Sequence, residues 1–563
     1  MNKIKIFSIC LVMCAGLFSC NKIIQQEKTG LFSITAAELK HHLDFLAADE
    51  FKGRNTPSAE LKIASKYLSN LSKKYGLTPV MSDNSYFQPI PLETSIVSEG
   101  ETSIILKSKA GKEEFKFRMD FGVEDKNLSS GNIKGSMVFL GLGHQTPDKS
   151  WDDLKNINIE GKIVVILDAN LLENHVLRSD GTGMYLRARA EKLVEMGAKA
   201  VIKIIDNERE TFFQKSGFKF ENSVKSIVIQ QTGADFASAY NWDGSSWEKK
   251  EPVQKEGSGS FNNIQIRHEM ATAILGVSGK ELNEMFVRVK RGEQISSRNL
   301  KGMTLDIKIK VKKGVETTRN ILALAEGTDP ELKNEYVVVG AHYDHIGTTE
   351  GGVYNGANDN GSGTVGLIEL AEAIANNRPA RSVIIVWFTG EEKGLWGSEY
   401  FVSNPPVPLE KISAYINLDV ISGDELNKIT VTGSEVLSSE LDNLINEISE
   451  DQLKGSLDYM KDTPGLSNFF FTRSDHFSFI MRGIPSVWFG AHSDHLDHIH
   501  QVSDVTETIY FDKIEHITKF SYLLALEVAN YKTMLALDRT SEITKRGPHN
   551  LQYNWKEAIE TKE

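Results

Sequence analysis

Residues 335–361 read EYVVVGAHYDHIGTTEGGVYNGANDNG, an apolar strand running into a glycine-rich loop of acids and histidines. Val337, Val338 and Val339 are consecutive β-branched residues, the composition of a strand buried on both faces, and Gly340 marks where the run stops. Beyond it, His342, Asp344, His345 and Asp359 crowd the strand end and its loop. Imidazoles and carboxylates are ligand types that zinc accepts. A polar loop with two solvated histidines is the alternative on this segment alone, because zinc needs about four ligands.

The missing ligands come from further along the chain. After Arg319 a β/α alternation is predicted, and three more apolar strands deliver acids or histidines just past their carboxyl ends. Ser382–Phe388 runs into Glu391 and Glu392; residues 414–418 end at Asp419; residues 486–489 end at Gly490 and a loop holding His492, His495, His498 and His500. Helices are expected over 361–375 and 395–401. In an open α/β sheet the carboxyl ends of the strands line one crevice, where ligands bind. The chain has three cysteines, Cys10, Cys14 and Cys20. A metal site near residue 342 therefore draws on His, Asp and Glu without thiolates.

The N-terminus explains the cysteines. Lys3 and Lys5 precede an apolar run from Ile6 to Leu17, and Ser19 stands before Cys20, the pattern of an export signal. That run is too short for a lasting membrane span. Residues 33–77 are predicted to form two helices. Thr35 and Glu38 can form a capping box for the first, with Leu39, His42, Leu43 and Leu46 on one face; Ser58 and Glu60 open the second, and Gly76 closes it. From about 90 to 300 the pattern turns to strands and turns with a helix or two. A buried strand is predicted over 161–168, a helix over 187–196, a strand over 200–205, then a strand and a helix within 272–289, and an exposed loop over 252–263. With 40% hydrophobic residues and 25% charged, the chain is globular in composition; its net charge of −12 and lack of a dense Lys/Arg cluster exclude nucleic acid as a partner.

Several motifs together carry a family resemblance. Leu43-Asp44-Phe45-Leu46-Ala47 with Gly53-Arg54, the strand of Val337 to His342, Asn358-Asp359, Glu391-Glu392, Asn417-Leu418-Asp419, and His500 with Asp504 resemble the zinc aminopeptidase family of co-catalytic metallopeptidases. That family includes aminopeptidases with a protease-associated domain and the glutamate carboxypeptidases. The resemblance implies an α/β fold: a mixed, largely parallel sheet flanked by helices, the zinc exopeptidase fold, with an inserted β-rich protease-associated domain. It implies N-terminal and metal-bearing peptidase parts at 31–92 and 301–536, an insert at 93–300, a signal peptide at 1–20 and a polar tail at 537–563. Leu17-Phe18-Ser19-Cys20 resembles a bacterial lipobox, implying an exported cell-envelope lipoprotein, in periplasm or outer membrane, attached only through a lipid on Cys20.

The resemblance also implies roles. Two zinc ions would be held by His342, Asp359 and Asp419 on one side and by Asp359, Glu392 and His500 on the other, with Asp359 bridging. Glu391 would be the general base for a metal-bound water attacking a peptide substrate. Asp344, two residues from His342 along an extended segment, would orient its imidazole. The Asp359–Asn360 bond is expected to be cis, and Asp475 and His476 are expected to line the pocket. One position departs from the pattern: where many relatives carry Tyr before the last histidine ligand, this chain has Ile499. His495 or His498 takes over that support of the oxyanion, or the second metal does, or the loop register differs. The expected activity is removal of N-terminal residues. Asp424 and Glu425 are candidates to hold a substrate amine. Alternatives are a carboxypeptidase or other amide hydrolase, with Arg473 and Arg482 as a carboxylate clamp, a single-zinc glutaminyl cyclase-like transferase, or a peptide-binding surface lipoprotein without catalysis.

Overall fold

The three valines occupy the strand Tyr336–His342, at the middle of a ten-stranded sheet among the described residues. The structure, a computed structural model, describes residues 30–123, 128–146, 148–172, 175–177, 189–216, 220, 223–227, 240–242, 247–249, 261–349, 352–434, 438–451, 456–459, 472–491 and 496–538. Across the sheet centre lie Ser486–Gly490, Ile412–Leu418, Tyr336–His342 and Ser382–Phe388 in that order, all parallel. Both flanks are antiparallel to this block: Lys428–Thr432 pairs with Ser486–Gly490, and Val311–Ala325 with Ser382–Phe388. The sheet is mixed, as expected: four central strands run parallel, and at one edge Lys428–Thr432 and Ser456–Tyr459 form a further parallel pair.

Alternation along these strands builds two cores. Val337, Val339 and Ala341 point with Ile385, Trp387 and Ile416 toward a layer that includes the helices Gly363–Asn376 and Phe511–Asn530. Val338 points the other way, toward Ile384, Tyr415 and Phe479. Each fully buried valine contributes about 1.5–3 kcal/mol relative to exposure, so the run of three is a strong anchor for the strand. The helices Ala36–Leu46 and Ala59–Lys74 cover the first layer. Thr35 accepts the Glu38 amide at 3.3 Å, and Ser58 accepts that of Leu61 at 2.9 Å.

A second sheet, eight-stranded among the described residues, is made wholly from strands between Ser103 and Ile309 and has a core of its own around Ile163, Val165, Ile202, Ile264 and Leu305. A ribbon joins the two sheets, with Phe87–Val97 antiparallel to Val311–Ala325 from Phe87↔Ile321 to Val97↔Val311. The strands Ile163–Asp168 and Ala200–Ile205 fall where the apolar runs place them. The strand expected after residue 272 does not form. Residues there lie in the helix His268–Leu275, ended by Gly276 at φ 65°, and in the helix Gly279–Lys290, opened by a capping box of Ser278 and Glu281. Met, Ala and Leu are good helix formers, and the short apolar run had no period long enough to reveal it. The strand of this region is Phe261–Ile266 instead. Of the loop expected over 252–263, residues 252–260 lie outside the described residues, as do the export signal, Cys20 and the end of the polar tail.

Candidate metal centre

Chain order places the crevice. From Tyr336–His342 the chain winds to Ser382–Phe388 on one side and then returns to Ile412–Leu418 on the other. The winding therefore reverses between the strands that end at His342 and Leu418, and ligands gather at the carboxyl ends beside such a reversal. His342 Nε2 and Asp419 Oδ1 meet there at 3.1 Å.

Two groups of potential ligands adjoin. His342, Glu391 and Asp419 converge in one, and His345, Asp359 and Glu392 in the other. Asp359 lies between them, with Oδ1 3.4 Å from His342 Nε2 and Oδ2 2.9 Å from His500 Nε2. His500 Nε2 is also 3.5 Å from Glu392 Oε2, and His345 Nδ1 is 2.6 Å from Glu392 Oε1. The Asp359–Asn360 peptide bond is cis. Three imidazoles and four carboxylates without thiolates form a donor set that fits zinc.

The surrounding residues hold these groups from a distance in sequence. Asp419 Oδ2 accepts the Ser474 hydroxyl at 2.6 Å, Ser474 accepts Asn417 Nδ2 at 2.7 Å, and Asn417 Oδ1 accepts the Tyr415 hydroxyl at 2.6 Å. Asp504 accepts the main-chain N–H groups of Asn358 and Asp359 at 2.7 and 3.1 Å, which fixes the backbone carrying the shared carboxylate. Asp344 faces the His342 imidazole with main chain and side chain together, its Oδ1 3.9 Å from Nδ1. Its carbonyl oxygen is 3.2 Å from His342 Nδ1, while its carboxylate accepts the Thr56 hydroxyl at 3.0 Å and the Glu391 amide at 3.2 Å. The backbone of Asp344 thus holds the imidazole, and its side chain holds the turn bearing Glu391.

Arg54 ties the loops together beneath the site. It is buried, and its guanidinium donates to the carbonyls of Tyr343, Leu46, Asn355 and Gly356 at 2.8–2.9 Å. Tyr343 adjoins His342, Asn355 and Gly356 lead to Asp359, and Leu46 ends the helix Ala36–Leu46. Lys52, Gly53 and Arg54 are all left-handed, with φ 46°, 67° and 47°. Glycine is required in the middle: a Cβ on Gly53 would sit 2.1 Å from the Tyr354 oxygen.

Electrostatics follow from this crowding. Burial pushes the Glu391 carboxyl well above its ordinary range, with Asp419 and Glu392 adding to the shift and His342 opposing it. Burial likewise raises Asp344 to about 6, and Asp475 and Asp504 to about 7. For His342, burial disfavours the charged form, but Asp419 and Glu391 outweigh it and the pKa rises. His500 rises to about 9 through its hydrogen bond to Asp359, whereas burial drops His345 to about 3. Arg54 is lowered to about 10 by burial, partly offset by Asp504 and Asp344.

All seven residues singled out for the site, His342, Asp344, Asp359, Glu391, Glu392, Asp419 and His500, come together at this crevice. Asp475 and His476 are buried beside it, His476 tilted against Trp488. Of the candidates to replace the absent tyrosine, His495 lies outside the described residues, and His498 meets the Ser503 hydroxyl at 2.9 Å. Sequence reasoning missed the parts played by Thr56 and Ser474, and passed over His345. Only Gly53-Arg54 gave a signal, as a motif with no role attached.

Comparison with known proteins bears on the fold that carries this site. Residues 320–525 match the model of Peptidase family M28. The chain is similar to leucine aminopeptidase 2 of Arthroderma otae, 28% identical over 239 residues, covering 41% of this chain and 42% of that protein. Leucine aminopeptidase 2 of Trichophyton equinum is 30% identical over 209 residues, 34% of this chain and 39% of the relative. The chain therefore spans less than half the length of these curated relatives. An aminopeptidase structure from Aneurinibacillus sp. aligns with a TM-score of 0.52 at 17% identity, covering 92% of this chain and 98% of that one. A zinc aminopeptidase structure from Bacillus subtilis aligns with a TM-score of 0.52 at 17% identity, covering 91% and 99%. These likenesses establish the shared fold.

Proposed function

We propose that the protein is a two-zinc exopeptidase that removes N-terminal residues from peptides. The observation that carries this reading is the placement of Asp359, whose two oxygens face different imidazoles, His342 at 3.4 Å and His500 at 2.9 Å. A carboxylate shared in this way suits a pair of ions, with His342 and Asp419 on one side and Glu392 and His500 on the other. Zinc held there would supply Lewis acidity toward a peptide carbonyl oxygen and toward water.

The chain's own residues do the rest. Glu391 is the general base: partly buried beside His342 with a raised pKa, it takes a proton from the attacking water and passes it to the leaving amine. Asp344 holds the amide of Glu391, so the base starts from a fixed backbone position. Ser474 keeps Asp419 aimed at His342.

A cavity of about 460 Å³ opens beside Asn358, lined by Asp424, Asp497, Asp504, Glu507, Ile499 and Tyr510. Asp424, Asp497 and Glu507 favour a free substrate amine over a carboxylate, while Asp504 is held by the Asn358 and Asp359 amides. Glu425 instead pairs with Lys428 at 3.5 Å. Arg482, a candidate clamp for a carboxypeptidase, is buried and donates to the Ser403 hydroxyl at 3.1 Å, while Arg473 is exposed. Similarity to proteins named leucine aminopeptidase supports the same direction of cleavage. The proposal extends to export as a cell-envelope lipoprotein anchored at Cys20, with the segment between the ribbon strands as a protease-associated-like insert. Loss of metabolic lipid labelling in Cys20→Ser tests the anchor.

The activity is tested by zinc content together with a panel of aminoacyl-anilides and peptides with free or blocked N-termini. Two zinc ions per chain and turnover on free N-termini alone are expected. Turnover that persists on blocked N-termini makes it a carboxypeptidase or other amide hydrolase. Full metal with no hydrolysis across the panel makes it a peptide-binding protein.

A further inference from the structure

His345 is fully buried, and neither of its ring nitrogens has a hydrogen-bond partner. Leaving a buried polar group unpaired costs about 1–3 kcal/mol, so an imidazole kept in this state calls for a reason. Its Nδ1 lies 2.6 Å from Glu392 Oε1, within hydrogen-bond distance but without hydrogen-bond alignment, and Glu392 Oε1 is itself unpartnered. Two donor atoms that crowd together without aiming at each other have the arrangement of ligands aimed at a third point between them. The neighbours complete a set. Asp359 Oδ2 is 4.0 Å from His345 Nδ1 and 2.9 Å from His500 Nε2, and Glu392 Oε2 is 3.5 Å from His500 Nε2.

The backbone is built to keep this ring in place. The His345 amide donates to the Arg54 carbonyl at 3.3 Å, so the main chain is satisfied while the ring is not. Gly356, at φ 58°, lies against the imidazole: a Cβ there would come within 2.3 Å of the Asp359 carbonyl oxygen and 2.4 Å of His345 Cγ. No other residue fits beside the ring without displacing it.

We propose that His345 is a fourth protein ligand of the second zinc site, binding through Nδ1 alongside Asp359, Glu392 and His500. This rests on the two-zinc reading above. It divides the labour between the two sites. Four protein donors close a tetrahedral zinc site, whereas a catalytic site keeps a position open. The open position then belongs to the side of His342 and Asp419, next to Glu391.

The test is zinc binding by the metal-stripped full chain, titrated against a competing chelator, for the unmutated protein, His345→Ala and His345→Asn. Asparagine places an amide donor near the position of Nδ1 but is a poor zinc ligand. The unmutated chain is expected to bind two zinc ions. His345→Ala is expected to weaken one of them more than about 100-fold, beyond the roughly 10–100-fold cost of losing an outer hydrogen-bonding partner, and His345→Asn is expected not to restore it. Weakening within that smaller range, or restoration by Asn, overturns the proposal. An unmutated chain that binds fewer than two zinc ions overturns the two-zinc reading instead. Should the variants fail to fold, X-ray absorption on the unmutated two-zinc protein decides: three imidazoles shared by two zinc ions support the proposal, and two overturn it.

Discussion

Asp153 in the second sheet and Glu392 in the first are both carboxylates withdrawn from solvent, and their surroundings are opposite in kind. Asp153 accepts four hydrogen bonds, from the amides of Leu142 and His144, from Trp151 Nε1 and from Gln294 Nε2, at 2.9–3.2 Å. Glu392 Oε1 accepts none and is pressed against a histidine ring whose nitrogens have none either. An acid buried to hold a fold is saturated with donors, because each unmet lone pair weakens the native state. At Glu392 one oxygen is left open, and Asp359 is brought up beside the same histidines despite the repulsion of like charges. Both carboxyls are raised by burial, so a raised pKa alone does not separate the two kinds. Their partner lists separate this pair, though not every buried acid: both oxygens of Glu369, which faces His42, also lack hydrogen-bond partners.

The comparison can be broken by substitution. The largest effect is expected from Glu391→Gln: a fall in kcat of about 10²–10⁴-fold, the usual contribution of a general acid–base group. Zinc content should stay unchanged and stability should not fall. A variant that loses its metal in step with its turnover would show that Glu391 is a ligand first. Next is Arg54→Met, which keeps the bulk but leaves four carbonyls without their donor. It should cost more than about 3 kcal/mol in urea unfolding and lower zinc affinity as the two loops loosen. A stable variant with loose zinc would confine Arg54 to the site.

Asp153→Asn should show the opposite profile to Glu391→Gln, losing about 1–3 kcal/mol of stability while turnover per folded molecule is retained. Equal losses of turnover in the two variants would mean that Asp153 serves the reaction as directly as Glu391 does. The smallest effect concerns Glu369, buried on the helix Gly363–Asn376 with Oε1 3.5 Å from His42 Nε2. Burial raises its pKa, His42 opposing. A carboxyl raised in the folded state binds more protons there than in the unfolded chain, so stability falls as pH rises from the unfolded pKa through the folded one. Glu369→Gln should remove that slope, making the variant relatively more stable at pH 8 than at pH 4. Identical pH profiles in urea melts would show that Glu369 does not titrate in this window.

Much of the site was legible because its signals are local. A run such as Val337 to Val339 declares a strand, and the residue just past its end declares what the strand delivers; His342, Glu392 and Asp419 were found in this way. The helix face of Leu39, His42, Leu43 and Leu46 is buried as its spacing requires. Thr56 and Ser474 were not legible, because their partners, Asp344 and Asp419, lie far along the chain and hydroxyl residues carry no pattern that names a distant carboxylate. His345 was passed over for a related reason. Its neighbour Asp359 is close in sequence, but Glu392 arrives from another strand, and only the folded crevice puts the two side by side. The helix at 268–275 was misread because eight residues are too few for an apolar period to separate helix from buried strand.

The ribbon between the sheets has a consequence for how this chain can be cut. Val97 and Val311 are paired neighbours, the last rungs of one antiparallel ladder. Seen from the ten-stranded sheet, everything between them is the loop of a hairpin that happens to be long. Joining the two strands by a short turn would remove the whole second sheet and cost the first only one edge strand, Ser223–Ile227, which reaches back to pair with Phe87–Val97. The crevice would keep every ligand named above, since all of them lie beyond Val311, and Arg54 and Thr56, which brace it, come before Val97. The chain is thus arranged so that what surrounds the metal centre can be exchanged as a cassette while the centre itself is left uncut.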